Sequence, residues 1–140
     1  ECNKAYVEFL KYEAQLFDDC LDVIKYLYNK YDLYIASNGM GDVQQKRIEL
    51  AGIDKFFIKS YISQNVGFNK PDLGFFEYVF KDLNDDNKDN YVIIGDRIDS
   101  DILGGINSNI HTIFVNRNII KSDIKAEYEI ISLDEIKNIL

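Results

Sequence analysis

Apolar residues recur along this chain at helical spacing in some stretches and as short unbroken runs in others. Residues 1–16 read as an amphipathic helix, with Tyr6, Phe9 and Leu10 on one side and Lys4, Glu8 and Lys11 on the other. After the turn Phe17-Asp18-Asp19, a second helix runs to about Lys30, with Leu21, Ile24, Leu27 and Tyr28 at core spacing. Leu33-Tyr34-Ile35-Ala36 is a short strand ended by Ser37-Asn38-Gly39. Residues 41–51 form a helix with Val43, Ile48 and Ala51 inward, and Gly52 follows it as a left-handed cap. Tyr61-Ile62-Ser63 is another short strand. Asn69-Lys70-Pro71-Asp72 opens a helix striped by Phe75, Phe76, Val79, Phe80 and Leu83, with Pro71 in its first turn, where a missing N–H costs nothing. A polar loop leads to Tyr91-Val92-Ile93-Ile94, the type of strand buried on both faces, which breaks at Gly95. A short helix with Ile102, Leu103 and Ile106 on its apolar side follows, then a strand at 112–115. The chain closes with a strand at 128–131 and a helix carrying Leu133, Ile136, Ile139 and Leu140.

Helices that alternate with short apolar strands imply an α/β fold, a Rossmann-like three-layer arrangement with a parallel sheet covered on both faces. Right-handed crossovers put every strand's carboxyl end on one edge, so Ser37, Asn38, Lys70, Asp96 and Asp101 are expected at one rim despite their separation in sequence.

Composition narrows the chemistry. A chain of 140 residues is one domain's worth. Its net charge of -8 argues against a nucleic-acid partner, which would want a basic patch. No apolar run reaches membrane length, so no membrane partner is expected. Cys2 and Cys20 match no metal spacing and suggest a reduced, cytoplasmic setting. An acidic protein that handles an anion needs a metal or a placed lysine. The sole histidine, His111, sits at a strand start and reads as structural, and Asp85-Asp86 reads as a solvated loop.

The rim residues supply such help. Asp96 and Asp101 flank the break after a buried strand, and paired carboxylates there suit Mg²⁺, which takes oxygen ligands and keeps sites for water and phosphate. The plainer alternative is an ordinary loop in which Asp99 or Ser100 caps the next helix. Ser37 offers a hydroxyl and Asn38 and Gly39 offer backbone amides, groups that suit phosphate oxygens. Lys70 lies just before a helix start, where a cation can reach an anionic centre. A hydroxyl, a lysine and a metal-binding acid on one rim are the parts of a phosphoryl-transfer site.

In these stretches the sequence resembles the haloacid dehalogenase (HAD) superfamily of phosphohydrolases. Ser37-Asn38-Gly39 resembles its second motif, Asn69-Lys70-Pro71-Asp72 its third, and the run from Gly95 to Gly105 its fourth. The text around Gln44-Gln45, Arg47 and Asp101-Ile102-Leu103-Gly104-Gly105-Ile106-Asn107 is similar to capped nucleotidases that dephosphorylate nucleoside 5′-monophosphates. The resemblance implies that Asp96 coordinates Mg²⁺, that Asp101 supports the metal or orients Lys70, and that Lys70 neutralises phosphoryl charge. It also implies that Ser37 and the amide of Asn38, with Gly39 beside them, bind the phosphoryl group of a small phosphorylated metabolite. Arg97 is given no role.

One motif is missing. The family carries an Asp-x-Asp pair after a central strand, its nucleophile and its general acid/base, and no such pair ends a strand here. Asp99-Ser100-Asp101 has the spacing but stands at a helix start. The resemblance therefore implies an incomplete sheet, with a central gap between the strands ending at Ser37 and Asp96. Residues 1–16 would be a remnant of a helical cap and 17–140 the core, in the carboxyl-terminal part of a longer enzyme; Glu1 in place of Met points the same way. The chain by itself would then be inactive. The rival expectation is a non-catalytic α/β domain that binds a ligand or partner at the same rim.

Overall fold

The computed structural model describes residues 4–7 and 20–140. A parallel six-stranded sheet organises them, in the order β3-β2-β1-β4-β5-β6. The strands are β1 (Lys4–Val7), β2 (Asp32–Ser37), β3 (Lys59–Ile62), β4 (Tyr91–Gly95), β5 (His111–Val115) and β6 (Tyr128–Ile130). The helices are α1 (Cys20–Tyr28), α2 (Gly41–Leu50), α3 (Ser63–Val66), α4 (Leu73–Asp82) and α5 (Leu103–Asn107), the last preceded by a wide π turn at Ile98–Ile102.

Side chains alternate along β2 and β4 between two cores. Leu33 and Ile35 of β2, Val92 and Ile94 of β4, and Ile113 and Val115 of β5 face α1 and the 3-10 turn Leu133–Asn138. Tyr34, Ala36, Tyr91 and Ile93 face the aromatic stripe of α4, where Phe75, Phe76, Val79 and Phe80 are buried. A strand buried on both sides needs an uninterrupted apolar run, which explains Tyr91-Val92-Ile93-Ile94.

The largest departure from expectation lies in the middle of the sheet. The slot between β2 and β4 is not a gap: Lys4–Val7 fills it, pairing Lys4 with Asp32 and Val7 with Ile35 on one side, and Lys4 with Tyr91 and Val7 with Ile94 on the other. The helix expected over residues 1–16 is therefore replaced by strand at 4–7, and the rest of that expectation lies outside the described residues. The reason is tertiary. Two buried strand edges facing each other leave N–H and C=O groups that cost about 1–3 kcal/mol each if unpaired, and an extended segment satisfies both rows. That outweighs a local helical periodicity.

Smaller corrections follow from packing. Cys20, Val23, Ile24 and Leu27 form the buried face of α1, while Leu21 and Tyr28 are exposed. Ile48 anchors α2, and Val43 is exposed because this largely polar helix touches the core through a single large apolar residue. Ile106 is exposed too, since α5 buries Gly104 and Gly105 instead. Pro71 lies before α4 rather than within its first turn: the helix starts at Leu73, and Asp72 N–H closes a turn onto Asn69 O at 2.9 Å. Gly52 takes φ 73° after α2, the left-handed conformation expected of it. His111 pairs with Glu127 at 2.7 Å. No helix among the described residues is long and apolar enough to cross a membrane.

Candidate active site at the carboxyl edge of the sheet

Ser37 is the last residue of β2, and Asp96 follows the last residue of β4. Parallel strands bring both ends to one edge of the sheet, with β1 between them. The loop after α3 carries Lys70 to that edge, and the π turn after β4 carries Asp101. Lys70 and Asp101 meet there. Lys70 Nζ donates to Asp101 Oδ1 at 2.5 Å and to Ala36 O at 2.8 Å. Both side chains are only 1% exposed. A buried ammonium is tolerable only with such partners, because the protein gives back part of the hydration it has lost.

Glycine makes that meeting possible. A side chain on Gly95 would run into Asp101, so the acid lies flat against the end of β4. A Cβ on Gly104 would stand 2.6 Å from the Phe76 ring and 3.3 Å from Pro71 Cα. One on Gly105 would stand 2.6 Å from Thr112 Cγ2 and 2.7 Å from Ile93 Cγ2. The paired glycines let the turn bearing Asp101 sit close to both α4 and the sheet.

The residues of Ser37-Asn38-Gly39 have separate tasks. Ser37 is buried, and its Oγ accepts a hydrogen bond from Gln44 Nε2 at 2.7 Å. The Asn38 side chain brackets the backbone of Lys70, accepting from Lys70 N–H at 2.8 Å and donating to Lys70 O at 3.0 Å. Gly39 N–H, expected to face phosphate, donates instead to Ser63 Oγ at 2.8 Å. That use of Gly39 depends on Ser63, which the sequence places in a strand and the fold places at the start of α3. Residue type alone gives no sign of it. Nor did sequence reasoning assign a role to Gln44 or to the Asn38 side chain.

A cavity of about 290 Å³ is lined by Asn38, Lys70, Pro71, Arg97, Asp99 and Ser100. Arg97 pairs with Asp99 at 3.5 Å, and that hydrogen bond, more than any other influence, holds its proton more firmly. A second depression of about 460 Å³ lies beside Gly39, walled by Ser63, Gln64, Phe68, Asn69 and Asp72. Asp96 is exposed and lines a third hollow with Asn116 and Arg117.

The donor chemistry bears on a metal. Among the described residues no three His, Cys, Asp or Glu side chains form a cation cage. One exposed carboxylate at a strand end fits Mg²⁺, which takes one or two carboxylates and leaves its other positions to water and phosphate.

The model of the haloacid dehalogenase-like hydrolases matches residues 2–115. The chain belongs to this family. It is 35% identical over 140 residues to YfnB of Bacillus subtilis, named as a HAD-hydrolase, covering 99% of this chain and 60% of that protein. It is 31% identical to the pyrimidine 5′-nucleotidase PynA of Streptococcus pneumoniae, covering 96% of this chain and 60% of that one. It is 26% identical to the pyrimidine 5′-nucleotidase YjjG of Escherichia coli, covering 99% and 62%. The chain thus spans about 60% of the length of these relatives. Its fold superposes on the crystal structure of YfnB bound to magnesium with a TM-score of 0.87, covering 91% of this chain and 57% of that one.

Proposed function

We propose that this chain forms the core of a Mg²⁺-dependent phosphomonoester hydrolase for a small phosphorylated metabolite, with pyrimidine nucleoside 5′-monophosphates the first substrates to try. The buried Lys70–Asp101 pair at the strand ends carries this reading, because it holds a cation where a phosphoryl group would dock. Ser37 O–H and the amide of Asn38 donate to phosphoryl oxygens, and Lys70 neutralises their charge. Asp101 fixes Lys70. Asp96 would hold Mg²⁺, which when bound neutralises phosphate and organises its oxygens. The depression beside Gly39 gives a leaving group room. The names of PynA and YjjG favour a nucleotide. Residues 20–140 and the central strand Lys4–Val7 make up this core, and its setting is the cytoplasm.

Turnover needs a carboxylate nucleophile, and no strand among the described residues ends in Asp-x-Asp. The reading therefore assigns the nucleophile to chain outside these residues. One observation favours a second reading, a phosphate-binding domain without turnover: the central slot is already held by Lys4–Val7, which brings no aspartate. Phosphate release from nucleoside 5′-monophosphates, measured with Mg²⁺ on the full-length product of the gene, separates the two. Hydrolysis supports the enzyme. Binding of phosphate without hydrolysis supports the second reading, and neither binding nor hydrolysis overturns both.

A further inference from the structure

We infer that Gln44 is a positioning residue that sets the direction of the Ser37 hydroxyl, and that Gly39 is glycine in order to admit it. The inference rests on reading Ser37 as a phosphate donor.

A serine hydroxyl has one proton to give and two lone pairs to receive. Gln44 Nε2 donates to Ser37 Oγ at 2.7 Å, so it occupies a lone pair and turns the serine's own proton away from itself. Ser37 is buried at the end of β2 and Gln44 is half-buried on the first turns of α2. An amide in that place keeps the hydroxyl a donor, which is what a phosphoryl oxygen requires. A carboxylate there would do the reverse, drawing the serine proton to itself.

Gly39 completes the arrangement. The Gln44 side chain crosses the α-carbon of Gly39, and a Cβ there would stand 2.8 Å from Gln44 Cγ and 2.9 Å from Nε2. The obstruction is the flexible Gln44 side chain from Cγ outward, so Gly39→Ala would displace Gln44 before it moved the backbone. Two different substitutions thus break the same hydrogen bond. Gln45, the next residue, points elsewhere, donating to Glu49 Oε1 at 3.2 Å on the exposed side of α2.

The test is the affinity of the full-length protein for inorganic phosphate in the presence of Mg²⁺, by titration calorimetry. Gln44→Ala and Gly39→Ala are each expected to weaken binding about three- to tenfold, the worth of one hydrogen bond. Gln44→Glu weakens it further than Gln44→Ala, and Gln45→Ala leaves it unchanged. Gln44→Ala combined with Ser37→Ala binds no more weakly than Ser37→Ala alone, because Gln44 acts through Ser37. Additive losses, or a Gln44→Ala chain that binds like wild type while Ser37→Ala does not, overturn the inference and leave the phosphate site standing. A Ser37→Ala chain that binds like wild type, or a wild-type chain that binds no phosphate, removes the site and the inference with it.

Discussion

Asn38 and Lys70 are 32 residues apart, yet the side-chain amide of one forms two hydrogen bonds with the backbone of the other, at 2.8 and 3.0 Å. The bracket ties the end of β2 to the loop that carries the lysine. Asn38→Ala leaves the Lys70 N–H and C=O to water and is expected to cost about 1–2 kcal/mol. Asn38→Asp keeps the acceptor, sets a carboxylate against the Lys70 carbonyl, and does no better. Urea denaturation of the two variants checks this; wild-type stability in Asn38→Ala would mean the bracket holds nothing.

Removing one member of the buried ion pair strands the other. Asp101→Ala is expected to lose about 3–5 kcal/mol, the range for an uncompensated buried charge. Lys70→Met removes the cation without leaving a hole, but it strands Asp101 instead and should also be costly. The double variant Lys70→Met with Asp101→Leu should recover much of the stability, and the same denaturation series shows whether it does.

Gly104 and Gly105 reverse the usual helix rule. Alanine at a helical glycine ordinarily stabilises by about 1 kcal/mol. Here Gly104→Ala meets Phe76 and the Pro71 backbone, and Gly105→Ala meets Thr112 and Ile93. Each is expected to destabilise by about 1–3 kcal/mol, the cost of overpacking. The sign of the change in thermal midpoint decides between space and propensity.

At the far edge of the sheet, Lys59 Nζ and Tyr61 O–H both donate to Asp82 Oδ2 at 2.7 Å. The bond from Lys59, then that from Tyr61, holds the Asp82 carboxyl below its ordinary value of 3.8. Its folded state is therefore the better acid, and the stability it contributes is fully present above pH 3.8 and fades as pH falls through the lower folded value. Asp82→Asn should be less stable than wild type at pH 7 by about 1 kcal/mol or less, since the group is partly exposed. The gap should close at the acid end of a pH series of denaturation curves. A gap of constant size across pH would show that the loss is one of packing.

Burial of both cores, the alternation of helix and strand, and the gathering of Ser37, Lys70, Asp96 and Asp101 at one edge were legible from the sequence. Each follows from a local pattern: apolar runs specify doubly buried strands, and parallel strands share a carboxyl edge. Side-chain partners were not legible, because they depend on how strand ends, loops and helices are placed against one another in space. Ser63 claims Gly39 N–H, Asn38 claims the Lys70 backbone, and Gln44 claims Ser37, through distances that no spacing rule encodes.

The central strand marks the boundary most clearly. In the sequence, Lys4-Ala5-Tyr6-Val7 lies within residues 1–16, a stretch whose periodicity suits a helix. What decides its conformation is the pair of buried edges on β2 and β4, whose hydrogen-bonding groups must be met by something. The sequence by itself determined the layers and which residues stand at their rim. Only the tertiary structure decided which segment lies at the centre, since backbone pairing between distant strands outweighs the preference of four residues.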